Sequence, residues 1–138
     1  MKTVIILSGI SGSGKTTFGK FLTGTLGTHT ITGTCSADDF WIDQAGNYNF
    51  DVSRLGEAHA WCRKLFLNHI KIETELIVVD NTNTSQKEYK FYVDEAEKAG
   101  YTVFRVIIDG IHGTKSIHNV PEQALKKQSD RLIASMNK

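Results

Sequence analysis

Eight residues near the start of the chain have the types and the spacing of a phosphate-binding loop. Residues 9–16 read Gly-Ile-Ser-Gly-Ser-Gly-Lys-Thr and match the pattern G-x-x-x-x-G-K-[ST] at every position. Glycines allow backbone N–H groups to turn inward around a phosphate, and the helix after such a loop points its positive end at the anion. Lys15 would reach the β and γ phosphates, and the Thr16 hydroxyl would bind Mg²⁺. The loop therefore predicts a site for ATP or another nucleoside triphosphate together with Mg²⁺.

The residues expected to touch the nucleotide belong to this loop and to the first turn after it. They are Gly9, Ser11, Gly12, Ser13, Gly14, Lys15, Thr16 and Thr17. The alternative is a turn rich in glycine and serine that binds nothing, but the apolar run before the loop and the helical pattern after it are the flanks that the motif requires. Because Lys15 would act on ligand charge, we expect its ammonium to be solvent-accessible in the empty site.

Two adjacent acids, Asp38 and Asp39, follow the second predicted strand. A doubly wound sheet would bring them to the same edge as the phosphate loop. Placing two carboxylates side by side is unfavourable, and catalysis would explain it: one would accept the proton of an attacking hydroxyl, and the other would face metal-bound water or a structural donor. The alternative is a solvated turn or a helix cap.

A second polar segment, Asp80-Asn81-Thr82-Asn83, follows the apolar strand at residues 76–79. P-loop proteins often hold an acid that orients Mg²⁺ at this place, and Asp80 is the candidate. Turn chemistry alone is the alternative, since Asp, Asn and Thr all favour such turns. Asn83 is a candidate substrate contact, although Thr82 and Asn83 could equally hold the loop.

Strand and helix patterns alternate along the chain. The predicted strands cover residues 4–7, 29–35, 76–79 and 103–108, and the predicted helices cover residues 15–26, 53–71, 85–99 and a stretch from about Pro121. Ser85 and Glu88 form a capping-box pattern, and Gly100 predicts the end of that helix. Alternation joined by right-handed crossovers gives a parallel sheet with helices on both faces.

Length and composition restrict the class of protein. The 138 residues, 40% of them hydrophobic, fit one domain over residues 1–138. A net charge of +1 does not by itself indicate a nucleic-acid or membrane partner. Cys35 and Cys62 match neither a zinc site nor a disulfide framework, which favours a reducing, cytoplasmic setting. No run approaches the roughly 20 apolar residues of a membrane helix, so we expect no membrane partner.

Taken together, these segments resemble the P-loop kinases that include the kinase domain of bacteriophage 5′-polynucleotide kinase. The resemblance spans nearly the whole chain and rests on residues 9–17, Asp38-Asp39-Phe40, residues 79–83 and the segment at 112–121. It implies an α/β fold of the P-loop NTPase type, a three-layer sandwich with a parallel sheet of about four strands in the order 2-3-1-4, and a short C-terminal lid with a helix.

The resemblance also implies roles for single residues. Asp38 would be the general base toward a 5′-hydroxyl, and Lys115 is the best candidate for a lid cation that grips the transferring phosphate. The family tends to carry an arginine shortly after the acidic pair, where this chain has Trp41, and arginines in the lid, which this chain lacks. Trp41 would either stack on a base or pack in the interior.

These observations predict a kinase that moves the γ-phosphate of ATP to a hydroxyl, with a polynucleotide 5′-OH end, in DNA or RNA repair, as the preferred acceptor. The expected catalytic residues are Lys15, Asp38 and Lys115, the metal ligands are Thr16 and Asp80, and the substrate contacts are Asp38, Asp39, Trp41 and Asn83. One alternative is a kinase for a nucleoside or other small molecule. Another is a nucleotide-binding module with weak or no catalysis.

Overall fold

The computed structural model describes residues 2–10, 13–26, 30–83 and 85–108. Four strands form one parallel sheet: β1 (Thr3–Ser8), β2 (Thr32–Cys35), β3 (Leu76–Asp80) and β4 (Thr102–Ile107). Their order across the sheet is β2-β3-β1-β4, as predicted. The central strand β1 therefore pairs with both β3 and β4. The α/β class, the parallel sheet and the 2-3-1-4 order are confirmed.

Three helices connect the strands. They are α1 (Lys15–Leu26), α2 (Leu55–Lys71) and α3 (Gln86–Lys98), and two short 3-10 helices cover Ala37–Trp41 and Val52–Arg54. Each crossover between parallel strands contains a helix, as parallel pairing requires. Among the described residues, the carboxyl ends of β1, β2 and β3 are followed by the phosphate loop, the acidic pair and the Asp80 segment, so the three predicted motifs share one edge of the sheet.

Helices cover the two faces of the sheet, which makes the three layers. On one face, α2 and α3 pack against β1 and β3 through a cluster of fully buried side chains, which includes Ile6, Ala58, Cys62, Phe66 and Ala96. On the other face, α1 contributes Phe18 to a smaller cluster around Leu7, Leu76 and Val78. All five residues of β3 are buried, which explains why its sequence is an unbroken apolar run up to the terminal acid.

The helix ends differ in part from the sequence-based expectations. The second helix begins at Leu55, because residues 52–54 form a 3-10 helix capped by the Asp51 carboxylate, which accepts from the Ser53 N–H at 3.0 Å. The predicted capping by Ser85 is wrong: this residue is the N-cap of α3, but its side chain makes no capping hydrogen bond. Gly100 does end the helix, with φ at +82°, a conformation that favours glycine.

The lid and the helix expected from Pro121 lie outside the described residues. Within the described part of the chain, no helix is both long and apolar enough to span a membrane.

Candidate active site

The phosphate loop begins where β1 ends, and its first glycine is required by space. A Cβ atom on Gly9 would lie 2.6 Å from the Oγ of Ser13 and 2.8 Å from the carbonyl oxygen of Ile108. The Gly9 N–H donates to the carbonyl of Thr82 at 2.8 Å, which holds the loop against the segment after β3. The loop therefore follows a path that a larger residue would block. Ser11 and Gly12 lie outside the described residues.

Ser13 and Gly14 complete the turn into α1. Gly14 has φ at +98°, in the left-handed region that glycine adopts without strain. The Ser13 hydroxyl is buried and has no hydrogen-bond partner among the residues that the structure describes. A buried polar group without a partner is unfavourable, and an anion or water in the loop would supply one. Thr17 lies on α1 with an exposed side chain.

Lys15 is buried, contrary to the expectation of a solvent-accessible ammonium. It is 8% exposed, and its Nζ donates to the carbonyl oxygen of Ile10 at 2.8 Å. Burial lowers the pKa of this ammonium, and the negative charges of Asp80 and Asp38 partly oppose that effect. A cation that has already lost most of its water, and that donates to the Ile10 carbonyl, is prepared to bind an anionic phosphate.

Thr16 in the first turn of α1 contacts Asp80 at the carboxyl end of β3. The Thr16 hydroxyl donates to Oδ2 of Asp80 at 3.0 Å, although 64 positions separate the two residues. Burial raises the pKa of the Asp80 carboxyl, while the hydrogen bond from Thr16 and the charge of Lys15 act in the opposite direction. Two oxygen donors at one edge of the sheet fit Mg²⁺, which typically takes one or two protein carboxylates and completes its shell with phosphate and water. The described residues contain no cluster of three or more His, Cys, Asp or Glu side chains that could hold a metal alone.

The acidic pair lies on the 3-10 helix after β2, with both side chains exposed. Loss of hydration raises the pKa of the Asp39 carboxyl, the neighbouring charge of Asp38 raises it further, and Lys20 lowers it. The charge of Asp38 also opposes the lowering of the Lys15 pKa, so the base candidate and the phosphate-loop cation lie within electrostatic reach of each other. Both groups follow the carboxyl ends of their strands and so lie at one edge of the sheet, as the sequence predicts.

Tyr48 contacts the acidic pair and was not identified from the sequence. Its hydroxyl lies 3.5 Å from Oδ1 of Asp38, at the outer limit of a hydrogen bond. Partial burial and the Asp38 charge raise the pKa of Tyr48 to about 12, so the phenol remains a donor at neutral pH. Tyr48 reaches this place through a short hairpin in which Ile42 and Tyr48 pair.

Asn81 ties the acidic pair to the sheet. Its Oδ1 accepts from the Ala37 N–H at 2.8 Å, and its Nδ2 lies 3.6 Å from the Cys62 sulfur and 3.4 Å from the Tyr92 hydroxyl. One side chain thus joins β3, the 3-10 helix, α2 and α3. Its position in a polar turn was the available sequence signal, but the pattern did not indicate which elements it would join.

Two predicted substrate contacts, Asn83 and Trp41, are buried. Asn83 is 1% exposed, has φ at +47°, and donates from Nδ2 to the carbonyl oxygen of Leu7 at 2.9 Å, so it holds the loop. Trp41 is 4% exposed and packs edge-on against Phe40 and Phe50, so of its two alternatives the structure has packing. In both cases the residue type is compatible with a substrate contact or with a place in the interior, and the structure has the side chain in the interior.

Arg105 on β4 contacts the end of β1 and the segment after β3. Its Nε donates to the Ser8 hydroxyl at 2.9 Å, its terminal nitrogen lies 3.4 Å from the Asn83 carbonyl, and its guanidinium stacks 4.4 Å from the Tyr89 ring centroid. The ends of β1 and β3 are therefore bridged by a cation on β4. Lys115, the predicted lid cation, lies outside the described residues.

Comparison with known proteins agrees with this architecture. In human NEDD4-binding protein 2, 100 residues are 35% identical to this chain; the match covers 72% of the chain and 5% of that protein, so the chain spans a small part of its relative. The Pnkp1/Rnl/Hen1 RNA repair complex contains a chain that superposes with a TM-score of 0.72 at 19% identity, covering 99% of this chain and 45% of that one.

A second fold relative is an APS kinase, CysC of Mycobacterium tuberculosis. It superposes with a TM-score of 0.58 at 15% identity and covers 99% of this chain and 98% of that one. At such identities the likeness concerns the fold. The sequence profile of one family, described as an AAA domain, matches residues 4–110, which include the phosphate loop, the acidic pair and the Asp80 segment. With that match over most of its length and the P-loop kinase-like fold, the chain belongs to the AAA domain family.

Proposed function

We propose that this protein is an ATP-dependent kinase that transfers the γ-phosphate to the 5′-hydroxyl end of a polynucleotide. The observation that carries the proposal is the convergence of charge at one sheet edge. Lys15 lies in the phosphate loop, Asp80 hydrogen bonds to Thr16, and the charges of Asp80 and Asp38 both act on the Lys15 ammonium. A cation for phosphates, oxygen ligands for a metal and a base for a hydroxyl are the parts that phosphoryl transfer needs.

In this mechanism the chain positions reactants and handles one proton. The acceptor oxygen attacks the γ-phosphorus as the bond from that phosphorus to the β–γ bridging oxygen breaks, and ADP leaves. Asp38 takes the hydroxyl proton, and Lys15 with the loop N–H groups holds the phosphates. Thr16 and Asp80 would hold Mg²⁺, which when bound neutralises phosphate charge.

The accessibility of the acidic pair supports a large acceptor. Asp38 is exposed, whereas Lys15 and Asp80 are buried, so the base candidate lies on the solvent-accessible side of the phosphate site. An exposed base can reach the end of a polymer that could not enter a closed pocket. The fold likeness to a chain of an RNA repair complex supports the same class of acceptor.

A small-molecule acceptor is the second candidate. It is favoured by the superposition on APS kinase, which covers nearly all of both chains. The acceptor would then be a soluble metabolite with a free hydroxyl. Retention of Lys15 and Asp38 speaks against a third possibility, a nucleotide-binding module without catalysis.

A transfer assay separates these functions. The protein is incubated with Mg²⁺ and γ-labelled ATP, and with DNA or RNA oligonucleotides that end in 5′-OH, the same oligonucleotides with 5′-phosphate, or nucleosides and APS. Label on the 5′-OH oligonucleotides alone is the expected result, and Asp38→Asn should remove it. Label on a small molecule alone would establish the second candidate. ATP binding without transfer to any acceptor would reject both kinase functions.

A further inference from the structure

Aromatic side chains cover the surface beside the acidic pair. Phe40 follows the pair directly, and its ring centroid lies 6.0 Å from that of Trp61 on α2 and 5.0 Å from that of the buried Trp41. The ring centroid of Phe50 lies 5.1 Å from that of Trp41 as well. We call Phe40, Phe50 and Trp61, together with Arg54, the aromatic surface.

We propose that the aromatic surface binds the bases of a single-stranded acceptor next to its 5′ end. The inference rests on the proposed function for its acceptor class, and it adds where the strand lies and which residues hold it. The buried Trp41 packs against Phe40 and Phe50, while the exposed rings would contact the strand.

Two rings of the aromatic surface are exposed to solvent, unlike the side chains of a hydrophobic core. Phe50 is 53% exposed and Trp61 is 37% exposed, although both belong to a connected set of rings. Exposed aromatic rings are unfavourable in water unless something covers them. A base covers a ring by stacking, which is tolerant of sequence because every base has a π face.

One cation of the aromatic surface, Arg54, can contact a phosphate of the backbone. The Arg54 guanidinium lies 5.1 Å from the Phe40 ring centroid, so a cation and a stacking ring are adjacent. Arg54 also pairs with Glu57 at 2.9 Å, and Asp51 lies near it. Both members of the Arg54–Glu57 pair are at least half exposed, and such pairs contribute little, so a phosphate can replace the carboxylate.

The aromatic surface adjoins the acidic pair, and this sets the direction in which a bound strand would run. Phe40 is two residues from Asp38 on the same 3-10 helix, and that helix packs against α2, which carries Trp61. A strand with its 5′-hydroxyl at Asp38 can therefore place its first bases on Phe40 and its neighbours. Arg54, at the amino end of α2, places a cation beside this path.

Binding without transfer is the direct test. A single-stranded DNA oligonucleotide with 5′-OH is titrated into the ATP-free protein, and affinity is measured by anisotropy of a 3′ label and by tryptophan emission. Phe50→Ala and Trp61→Ala should each raise Kd by about 5- to 150-fold, the range for loss of one stacking contact. Trp61→Phe should restore most of the affinity, while Trp61→Leu, which is apolar but cannot stack, should not.

Phe104→Ala is the matched control, because Phe104 on β4 is 55% exposed, much like Phe50, and lies outside the aromatic surface. It should leave Kd unchanged. Equal Kd values for wild type, Phe50→Ala and Trp61→Ala would overturn the inference, as would recovery by Trp61→Leu. Loss of self-association in Trp61→Ala, seen by sedimentation with unchanged oligonucleotide affinity, would assign the rings to a protein interface and also overturn it.

The transfer assay keeps this inference separate from the proposed function. Normal 5′ phosphorylation with no effect of the aromatic variants on Kd or KM would leave the kinase function intact and reject the surface. Ring-dependent oligonucleotide binding without phosphorylation would support the surface and reject the kinase function.

Discussion

The Oδ1 atom of Asn81 accepts a 2.8 Å hydrogen bond from the backbone N–H of Ala37, the residue before the acidic pair. This bond fixes the turn that carries Asp38 to the end of β3, which carries Asp80. Beside the pairing of β2 with β3, this amide side chain therefore helps to set the distance between the base candidate and the metal-ligand candidate.

Asn81→Ala should lower both stability and activity. Leaving the Ala37 N–H without a partner costs about 1–3 kcal/mol of unfolding free energy, and a shift of the acidic pair by about 1 Å can lower kcat by about 10²-fold. Thermal unfolding and kcat of the variant test this, with Asn68→Ala, an exposed asparagine on α2, as the control. Wild-type kcat in a folded Asn81→Ala protein would contradict a positioning role.

Lys15→Met should abolish phosphoryl transfer without unfolding the protein. Methionine fits an interior site and cannot bind phosphate, and removal of a buried, desolvated cation relieves an unfavourable burial. We expect unchanged or higher Tm by circular dichroism together with lost transfer and weaker ATP binding. Lys87→Met, at an exposed position of α3, serves as the control. Turnover near the wild-type rate would exclude Gly9–Thr16 as the phosphate site.

Asp38→Asn should lower kcat by about 10²–10⁴-fold, or roughly 3–5 kcal/mol of barrier, with ATP affinity nearly unchanged. The amide keeps the shape of the side chain and loses the basic oxygen. Tyr48→Phe removes the donor 3.5 Å from that carboxylate and should have a smaller effect, because a long hydrogen bond contributes little. Measurement of kcat and nucleotide affinity separates the two roles. A variant that retains more than about a tenth of the wild-type kcat would exclude Asp38 as general base.

Asp39→Asn should change how stability depends on pH. The pKa of Asp39 is raised in the folded state, so the unfolded chain ionises first as pH rises, and folded-state stability is lost between the ordinary pKa near 3.8 and the raised one. The variant should therefore gain Tm relative to wild type as pH rises through the ordinary pKa of an aspartate, near 3.8.

Asp43→Asn gives the opposite sign and is the control for that experiment. Hydrogen bonds from the Asn47 and Ala45 N–H groups and from Asn49 lower the pKa of Asp43, so its contribution to stability is present at neutral pH and is lost as pH falls. This variant should lose Tm relative to wild type as pH rises. A parallel response of the two variants would show that neither local environment controls the titration.

Gly33→Ala should destabilise the protein, because a Cβ atom there would lie 2.4 Å from Cε1 of His69. The ring is held by a 2.9 Å hydrogen bond between Nδ1 and the Thr74 hydroxyl, so it cannot move without losing that bond. His69→Ala in the same chain should restore part of the loss. Chemical denaturation of the two single variants and the double variant measures the coupling. Additive effects would mean that the close approach is relieved elsewhere.

The sheet and the phosphate loop could be predicted because their signals are local. Buried parallel strands need continuous apolar runs, and a loop that wraps a phosphate needs glycines at fixed places, so both leave a pattern in consecutive residues. The same local reasoning correctly brought Asp38 and Asp80 to one edge, because the ends of parallel strands meet there.

The remaining features depend on partners distant in the chain. A tryptophan after an acidic pair is compatible with stacking or packing, and only the folded structure, in which Trp41 is 4% exposed and packs against Phe40 and Phe50, shows that it is interior. Nor does sequence show that Asn81 reaches Ala37 or that Arg105 reaches Ser8. The prediction of side-chain capping by Ser85 is wrong although its signal is local: the sequence pattern is present, but the serine side chain makes no capping hydrogen bond.

The order of the strands has a consequence for synthesis. The strand that leads into the phosphate loop, β1, is made first, yet its neighbours β3 and β4 are made last among the four. A nascent chain that ends before residue 76 has β1 and α1 but no neighbour for β1, and the partner of Thr16 has not yet been added. Contacts between such distant segments form slowly because a long loop must close first. Nucleotide binding should therefore appear late and abruptly during translation, and ATP would favour the final docking of β3 by binding only after it has occurred.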